Sequence, residues 1–383
     1  MTNRSPIQLF VPTYRVEECL AAMKECLDIG WTGLGFKTVE FEEAWKKYTG
    51  VSHAHFLNSA TAGLHLAVKI FKEVGGWAEG DEVISTPITF VSTNHAILYE
   101  GLKVVFADID QYGCLDPASI EERITNKTRA VIFVGLGGNA GQLTAVQELC
   151  KRRGLRLILD AAHMAGTRVN STTPGLGADA IVYSFQAVKN LPTADSGMVC
   201  FREAALDKIV RQQSWLGIDK DTFSRSQSGG AYKWHYDVPH LGFKDHGNSL
   251  IAATALVQLK YLDQDNSYRR QVSSWYQHRL LNIPGIEIVP ISVDCESSRH
   301  LFQIRVSRRD EVLLALNNAG IFPGVHYRDN TEFSMYANAG NSCPNAREFS
   351  ESVISLPLHL RLTYDDVMYV CDTLCEIIAE MRS

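Results

Sequence analysis

The sequence predicts an α/β protein whose main layer is a seven-stranded, mainly parallel sheet, with a smaller α+β domain at the C-terminal end. Three observations predict it. Seven short β-rich runs alternate with segments of helical period. The chain has 383 residues, more than the roughly 250–300 that one core fills. The alternation also changes character after residue 262, so the domains are placed at 1–262, with an N-terminal arm, and 263–383.

The runs fall at residues 53–57, 82–86, 103–107, 130–134, 156–160, 180–184 and 198–201. Residues 62–74 and 145–153 carry the helical period, the second closed by Gly154, where glycine takes a left-handed C-cap without steric cost. The connection from 184 to 198 holds Lys189, Pro192 and Gly197 and is too short for a helical crossover. Strands 180–184 and 198–201 are therefore predicted antiparallel, with Lys189 in a loop at a strand end. Residues 215–244, rich in Gly, Ser, Asp and aromatics, read as an irregular functional surface. An alanine-rich helix is predicted at 248–262. Beyond it follow a long helix to 281, strands near 286–289 and 301–306, a helix at 309–319 and a last helix at 363–381.

Composition narrows the function classes. With 45% apolar and 21% charged residues and a formal net charge of −6, the chain is not a general polyanion binder, and nucleic acid is not an expected partner. No stretch approaches the roughly 18 uninterrupted apolar residues of a spanning helix, and residues 1–12 have no basic-then-apolar leader, so the expectation is a cytoplasmic protein without membrane contact. Nine cysteines, scattered and without a C-x-x-C pair, suggest neither a disulfide framework nor a metal site. Gly33-Leu34-Gly35 precedes no βαβ unit, which argues against a dinucleotide-binding oxidoreductase.

The chemistry rests on two residues. Asp160 ends the apolar run Leu157-Ile158-Leu159, and Lys189 follows in Tyr183-Ser184-Phe185-Gln186-Ala187-Val188-Lys189-Asn190. A pyridoxal phosphate enzyme needs an amine to hold the cofactor aldehyde and a carboxylate to keep the pyridine nitrogen protonated. A carboxylate at the end of an apolar strand also needs a cation beside it. Taken singly, Lys189 is equally a solvated loop lysine and Asp160 an N-cap. Asn58-Ser59-Ala60-Thr61-Ala62 follows a strand and opens a helix, so its free N–H groups form an anion site by geometry, or a plain N-cap by Ser59 or Thr61.

In chain order these pieces, with Gly30-Trp31-Thr32-Gly33, Thr86-Pro87-Ile88-Thr89-Phe90-Val91-Ser92-Thr93, Asp160-Ala161-Ala162-His163, Gly324-Val325-His326-Tyr327 and Leu356-Pro357-Leu358-His359, resemble the DegT/DnrJ/EryC1/StrS sugar aminotransferases, of the fold type I pyridoxal phosphate superfamily. The resemblance covers almost the whole chain. It implies Lys189 as covalent anchor and proton carrier, Asp160 on the ring nitrogen, His163 near the phenolic oxygen and Phe90 on the ring face. Ala60, Thr61 and Ser184 would take the phosphate. The family text has glycine where this chain has Ala60. His163 and Phe90 have ordinary alternatives, a satisfied structural histidine and a core aromatic.

The resemblance further implies a homodimer with its active sites at the interface, in which a residue before the alanine-rich helix reaches the neighbouring phosphate. His246 holds the aligned position, where relatives have asparagine, and Asn248 lies nearby. Trp31, Thr32, His326, Tyr327 and Arg328 are the candidates for the sugar nucleotide. Arg328 stands where many relatives have proline, and is as readily a solvated side chain. The implied reaction moves an amino group, from glutamate in the first instance, to a keto group of a nucleotide-linked deoxyhexose in amino-sugar biosynthesis such as that of lipopolysaccharide O-antigen. A 4-keto-6-deoxy sugar comes first, a 3-keto sugar second and a keto-octulosonate third. Two further readings are a deoxysugar dehydratase, against which Lys189 argues because that branch carries histidine there, and a non-catalytic cofactor-binding regulator.

Overall fold

A computed structural model describes residues 5–219, 236–336 and 342–382. The predicted sheet is present with all seven strands: β1 (His55–Leu57), β2 (Glu82–Ser85), β3 (Lys103–Phe106), β4 (Thr128–Val134), β5 (Arg156–Asp160), β6 (Ala180–Ser184) and β7 (Gly197–Phe201). Their spatial order is β1-β7-β6-β5-β4-β2-β3. The pairs among β2, β3, β4, β5 and β6 are parallel, whereas β7 is antiparallel to both β6 and β1, so β7 alone runs against the sheet. The β6–β7 pairing is the one predicted from the short loop that carries Lys189. Buried on both faces, the strands read as near-continuous apolar runs.

The Ala60–Gly75 helix begins two residues before the predicted 62–74, so Ala60 and Thr61 form its first turn instead of preceding it. Ser59 caps it, its hydroxyl oxygen accepting from the Ala62 N–H at 3.1 Å. Gly154 closes Leu143–Arg153 as predicted, with φ 67° and its N–H returned to the last turn. The Phe36–Thr49 helix buries Trp45 against Tyr183 and Phe185, at ring-centroid distances of 4.9 and 5.0 Å, and so fixes the strand that leads into the lysine loop.

The alanine-rich helix is Ser249–Leu259, with Asn248 as its N-cap rather than its first residue. The long helix after it, Leu262–Leu280, starts at the proposed domain boundary. A second core gathers Val272, Tyr276, Phe302, Ile354 and Leu374 with Ile7 from the N-terminal end. Its sheet is β8 (Glu287–Ile288), β9 (Phe302–Arg305) and β10 (Val353–Leu356), all antiparallel. β10 is not predicted: it follows the Pro344–Ser352 helix without a turn residue to mark it. Tyr336, Cys343, Ala346, Phe349 and Val353 join the first core instead.

Of the predicted irregular stretch 215–244, residues 220–235 lie outside the described residues. Its flanks meet at an isolated bridge between Trp215 and Lys244.

Candidate active site

The C-terminal ends of the parallel strands open onto a cavity of about 470 Å³. Ala60, Thr61, Phe90, Asp160, His163, Ser184, Lys189, His326 and Tyr327 line it together, from positions spread over 267 residues of sequence (327 − 60). His246, Asn248, Trp31, Thr32 and Arg328 do not line it.

Lys189 sits in a hairpin extension of β6 and β7. Phe185 N–H donates to Ser196 O at 2.9 Å, Ala187 N–H to Ala194 O at 3.0 Å, and the Thr193 hydroxyl to Phe185 O at 2.6 Å. Tyr14, in the N-terminal arm, donates to Thr193 O. A rigid loop thus holds the lysine, and burial pushes its amine down to about 8 against the opposing charge of Asp160.

Asp160 closes β5, buried at 4% exposure. Its Oδ2 accepts from the Thr93 hydroxyl at 2.7 Å and its Oδ1 from Ala162 N–H at 3.1 Å. Burial pushes this carboxyl above its ordinary value, while the Thr93 and Ala162 hydrogen bonds and the charge on Lys189 act the other way. Among the described residues no cation forms an ion pair with it. A protonated pyridine nitrogen meets that need.

His163 shows which of its nitrogens is protonated. Gly137 N–H donates to Nδ1 at 3.1 Å, so Nδ1 carries the lone pair and Nε2 the proton. Nε2 then donates to Tyr327 Oη at 3.2 Å. Burial pushes this imidazole well below 6.5, with Lys189 and His326 adding to the effect, so it stays neutral. A donor facing the cavity is what a phenolic oxygen requires.

The phosphate end is a helix N-terminus pressed against β7. A Cβ on Gly197 would stand 2.5 Å from Ala60 N and 2.6 Å from Ser59 C, so only glycine allows the first turn to lie so close to the strand. Ser184 ends β6 beside it and also lines the cavity. Phe90 is 61% exposed, which rules out the core reading, and its ring lies 6.3 Å from that of Tyr327. An anion-accepting helix end, a ring-sized cavity, a buried carboxylate and a lysine of lowered basicity fit pyridoxal phosphate.

The remaining candidates are engaged elsewhere. Asn248 Oδ1 accepts from Ile251 N–H at 3.0 Å, and His246 packs edge-on against Trp215 at 4.5 Å. Trp31 Nε1 donates to Leu34 O at 2.7 Å, and Thr32 O accepts from Ser249 N–H at 3.1 Å. Arg328 pairs with Glu332 at 2.7 Å on the surface. Sequence reasoning assigned no role to Thr93, His300 or Phe10, which also line the cavity. Thr93 lies four residues after Thr89 in a quoted motif, a helical spacing that offered a signal; His300 and Phe10 offered none.

A model of the DegT/DnrJ/EryC1/StrS aminotransferase family matches residues 14–375. The spore coat polysaccharide biosynthesis protein SpsC of Bacillus subtilis (strain 168) is 32% identical over 374 residues, covering 94% of this chain and 95% of SpsC. Helicobacter pylori PseC, an aminotransferase involved in the biosynthesis of pseudoaminic acid, superposes with TM-score 0.90 at 28% identity, covering 98% of this chain and 100% of its own. Spr1654 of Streptococcus pneumoniae in its PLP-form superposes with TM-score 0.88 at 27% identity, covering 98% and 99%.

Proposed function

Because this chain belongs to the DegT/DnrJ/EryC1/StrS aminotransferase family and is a pyridoxal phosphate-dependent sugar aminotransferase, we propose that it moves the amino group of glutamate to C4 of a nucleotide-linked 4-keto-6-deoxy sugar. The observation that carries this reading is the convergence of Lys189 and Asp160 on one cavity wide enough for a cofactor and a sugar ring.

When bound, the cofactor supplies an aldehyde that takes up an amine and a ring that accepts electrons from the adjoining carbon. Asp160 would hold the ring nitrogen charged, and His163 would turn its one Nε2–H from Tyr327 Oη to the phenolic oxygen. The first-turn N–H groups at Ala60 and Thr61 would bind phosphate with the Ser184 hydroxyl, and Phe90 would cover the ring. Lys189 Nζ removes the proton from the carbon that gives up nitrogen and returns one to the carbon that receives it, so that C=O becomes CH–NH2. Its lowered basicity leaves a useful fraction neutral near pH 8. His326 and Tyr327 face the sugar; Arg328 takes a diphosphate oxygen only if its pairing with Glu332 opens.

We infer that the candidates outside the cavity serve a homodimer. Thr32 and Gly33 carbonyls accept from Ser249 N–H, which places the Trp31–Thr32 segment beside Asn248. The proposal is that His246 and Asn248, with Trp31 and Thr32, complete the cavity of a second copy. Cofactor content that stays full in a monomeric variant overturns this arrangement.

The deciding experiment loads the enzyme with amine from glutamate and offers a panel of 4-keto and 3-keto nucleotide sugars and a keto-octulosonate. The reading expects the 4-keto-6-deoxy members to restore the original visible spectrum. Restoration by 3-keto sugars alone would shift the position, and failure of glutamate to load the enzyme would remove the donor.

A further inference from the structure

His300 lies two residues before β9, 1% exposed, and lines the cavity. It is clamped between Phe10, stacked at 5.2 Å and 10°, and His163 at 4.3 Å. The N-terminal arm thus fixes the plane of this ring.

Its protonation is fixed by a chain of amides. Asn266 Nδ2 donates to Ala165 O at 2.9 Å, so Asn266 Oδ1 is an acceptor. Asn190 Nδ2 donates to that Oδ1 and to Ser298 O, both at 2.7 Å. Asn190 Oδ1 is therefore left to accept, and its partner at 3.0 Å is His300 Nδ1. Nδ1 must carry the proton and Nε2 the lone pair. The two neighbouring imidazoles, tilted by 38°, are opposite tautomers: His163 has its donor at Nε2, and His300 has there an acceptor with no hydrogen-bond partner among the described residues. Burial, with the charges on Lys189 and Arg269 nearby, keeps His300 from taking a second proton. His300 and Lys189 line the same cavity, close enough for the charge of one to act on the other.

An unpartnered acceptor on a residue of the cavity wall asks for a donor on the substrate. Sugars offer hydroxyls there. Tyr327 lines the same cavity, and its O–H can donate to the same hydroxyl. We propose that His300 is a specificity-determining residue of the amino-accepting half-reaction, and that its Nε2 accepts a hydrogen bond from a hydroxyl on the carbon next to the carbonyl that is aminated. The substrate class is then an α-hydroxy keto sugar, not one deoxygenated at that neighbouring carbon. This rests on the sugar aminotransferase reading above, but not on the position or the donor assigned there.

The test uses the full chain reconstituted with pyridoxamine phosphate, which makes it independent of the amino donor. Reaction rates are compared for two keto-sugar nucleotides that differ only in the hydroxyl beside the carbonyl. The native enzyme is expected to favour the hydroxylated sugar by about 100-fold in kcat/KM, because an analogue lacking the group leaves a buried acceptor unmet. His300→Phe keeps the stacked ring and loses the lone pair. It should lower the hydroxylated sugar by about the same factor and leave the deoxygenated one nearly unchanged. His300→Gln, which restores an acceptor oxygen, should recover part of the preference.

Equal loss on both sugars in His300→Phe, or no preference in the native enzyme, overturns the proposal. Should the variant not fold, native discrimination and the ¹⁵N resonances of His300 decide: a proton on Nε2 overturns it. Amination at C3 in place of C4 would overturn the functional reading and leave this one intact, since the comparison is made about whichever carbonyl reacts.

Discussion

The Thr93 hydroxyl donates to Asp160 Oδ2 at 2.7 Å, and Thr89 Oγ1 stands 2.8 Å behind it. An ionised carboxylate only accepts, so Thr93 spends its one proton on Asp160 and Thr89 must donate to Thr93. The relay works against the burial that raises the Asp160 carboxyl. Thr93→Val keeps the shape and removes the bond, which for a charged acceptor contributes about 1.5–3 kcal/mol. The affinity for pyridoxal phosphate, read by fluorescence titration of the apoenzyme, should fall by at least about tenfold, and Thr93→Ser should retain it. Equal affinity in Thr93→Val and the native protein would show that Asp160 is held by other means.

Lys189→Ala should abolish both turnover and the visible absorbance of lysine-bound cofactor, with the protein still folded. In the native apoenzyme, the rate of borohydride-trappable attachment should rise about tenfold per pH unit and level off near 8, where the amine becomes neutral. A plateau only above pH 10 would mean a solvated lysine.

The same group gives a stability signature. Its folded value is depressed from 10.5 to about 8, so between those limits the unfolded chain binds more protons than the folded one. Cofactor-free protein should therefore gain stability as pH rises through that window, measured by urea midpoints. Lys189→Met should flatten the rise.

Gly197→Ala places a methyl 2.5 Å from Ala60 N and must push the first turn of the Ala60–Gly75 helix off the sheet. Overpacking of this kind costs about 1–3 kcal/mol. Calorimetry should show a lower Tm, and equilibrium dialysis a weaker hold on cofactor and on inorganic phosphate. A variant with reduced stability but native phosphate affinity would separate the strand contact from the anion site.

Glu42, buried at 5% exposure, ties the Phe36–Thr49 helix to β1: it accepts from Phe56 N–H at 2.8 Å, contacts His55 Nδ1 at 2.9 Å and pairs with Arg211 at 2.8 Å. Burial alone would raise this carboxyl, but His55, Arg211 and the Phe56 N–H together hold it below 4.5. Its contribution is therefore fully present above pH 4.5 and lost as pH falls through the lower folded value. Glu42→Gln should destabilise by about 3 kcal/mol at neutral pH and be less sensitive to acid than the native protein. Urea denaturation at pH 7 and pH 4 reads both effects.

Much of this molecule is legible in the chain itself. The seven runs 53–57 to 198–201 declare their strands because a strand buried on both faces must be apolar throughout, and the fourteen residues from 184 to 197 declare an antiparallel return because no crossover fits in them. Lys189 and Asp160 are legible for a similar reason: a charge in an apolar frame stands out in one dimension. The third strand of the small sheet is not, since Val353–Leu356 follows its helix without punctuation. Nor is the pairing of Thr93 with Asp160 across 67 residues, or the opposite tautomers of His163 and His300. A proton's place on an imidazole depends on which amide or backbone N–H lies within hydrogen-bond reach of each ring nitrogen, and only the closed fold brings Gly137 and Asn190 there. Local pattern determined where strands, helices and the conspicuous charges fall; long-range packing alone decided which donors and acceptors face the cavity, because hydrogen bonds depend on distance and direction and not on sequence order.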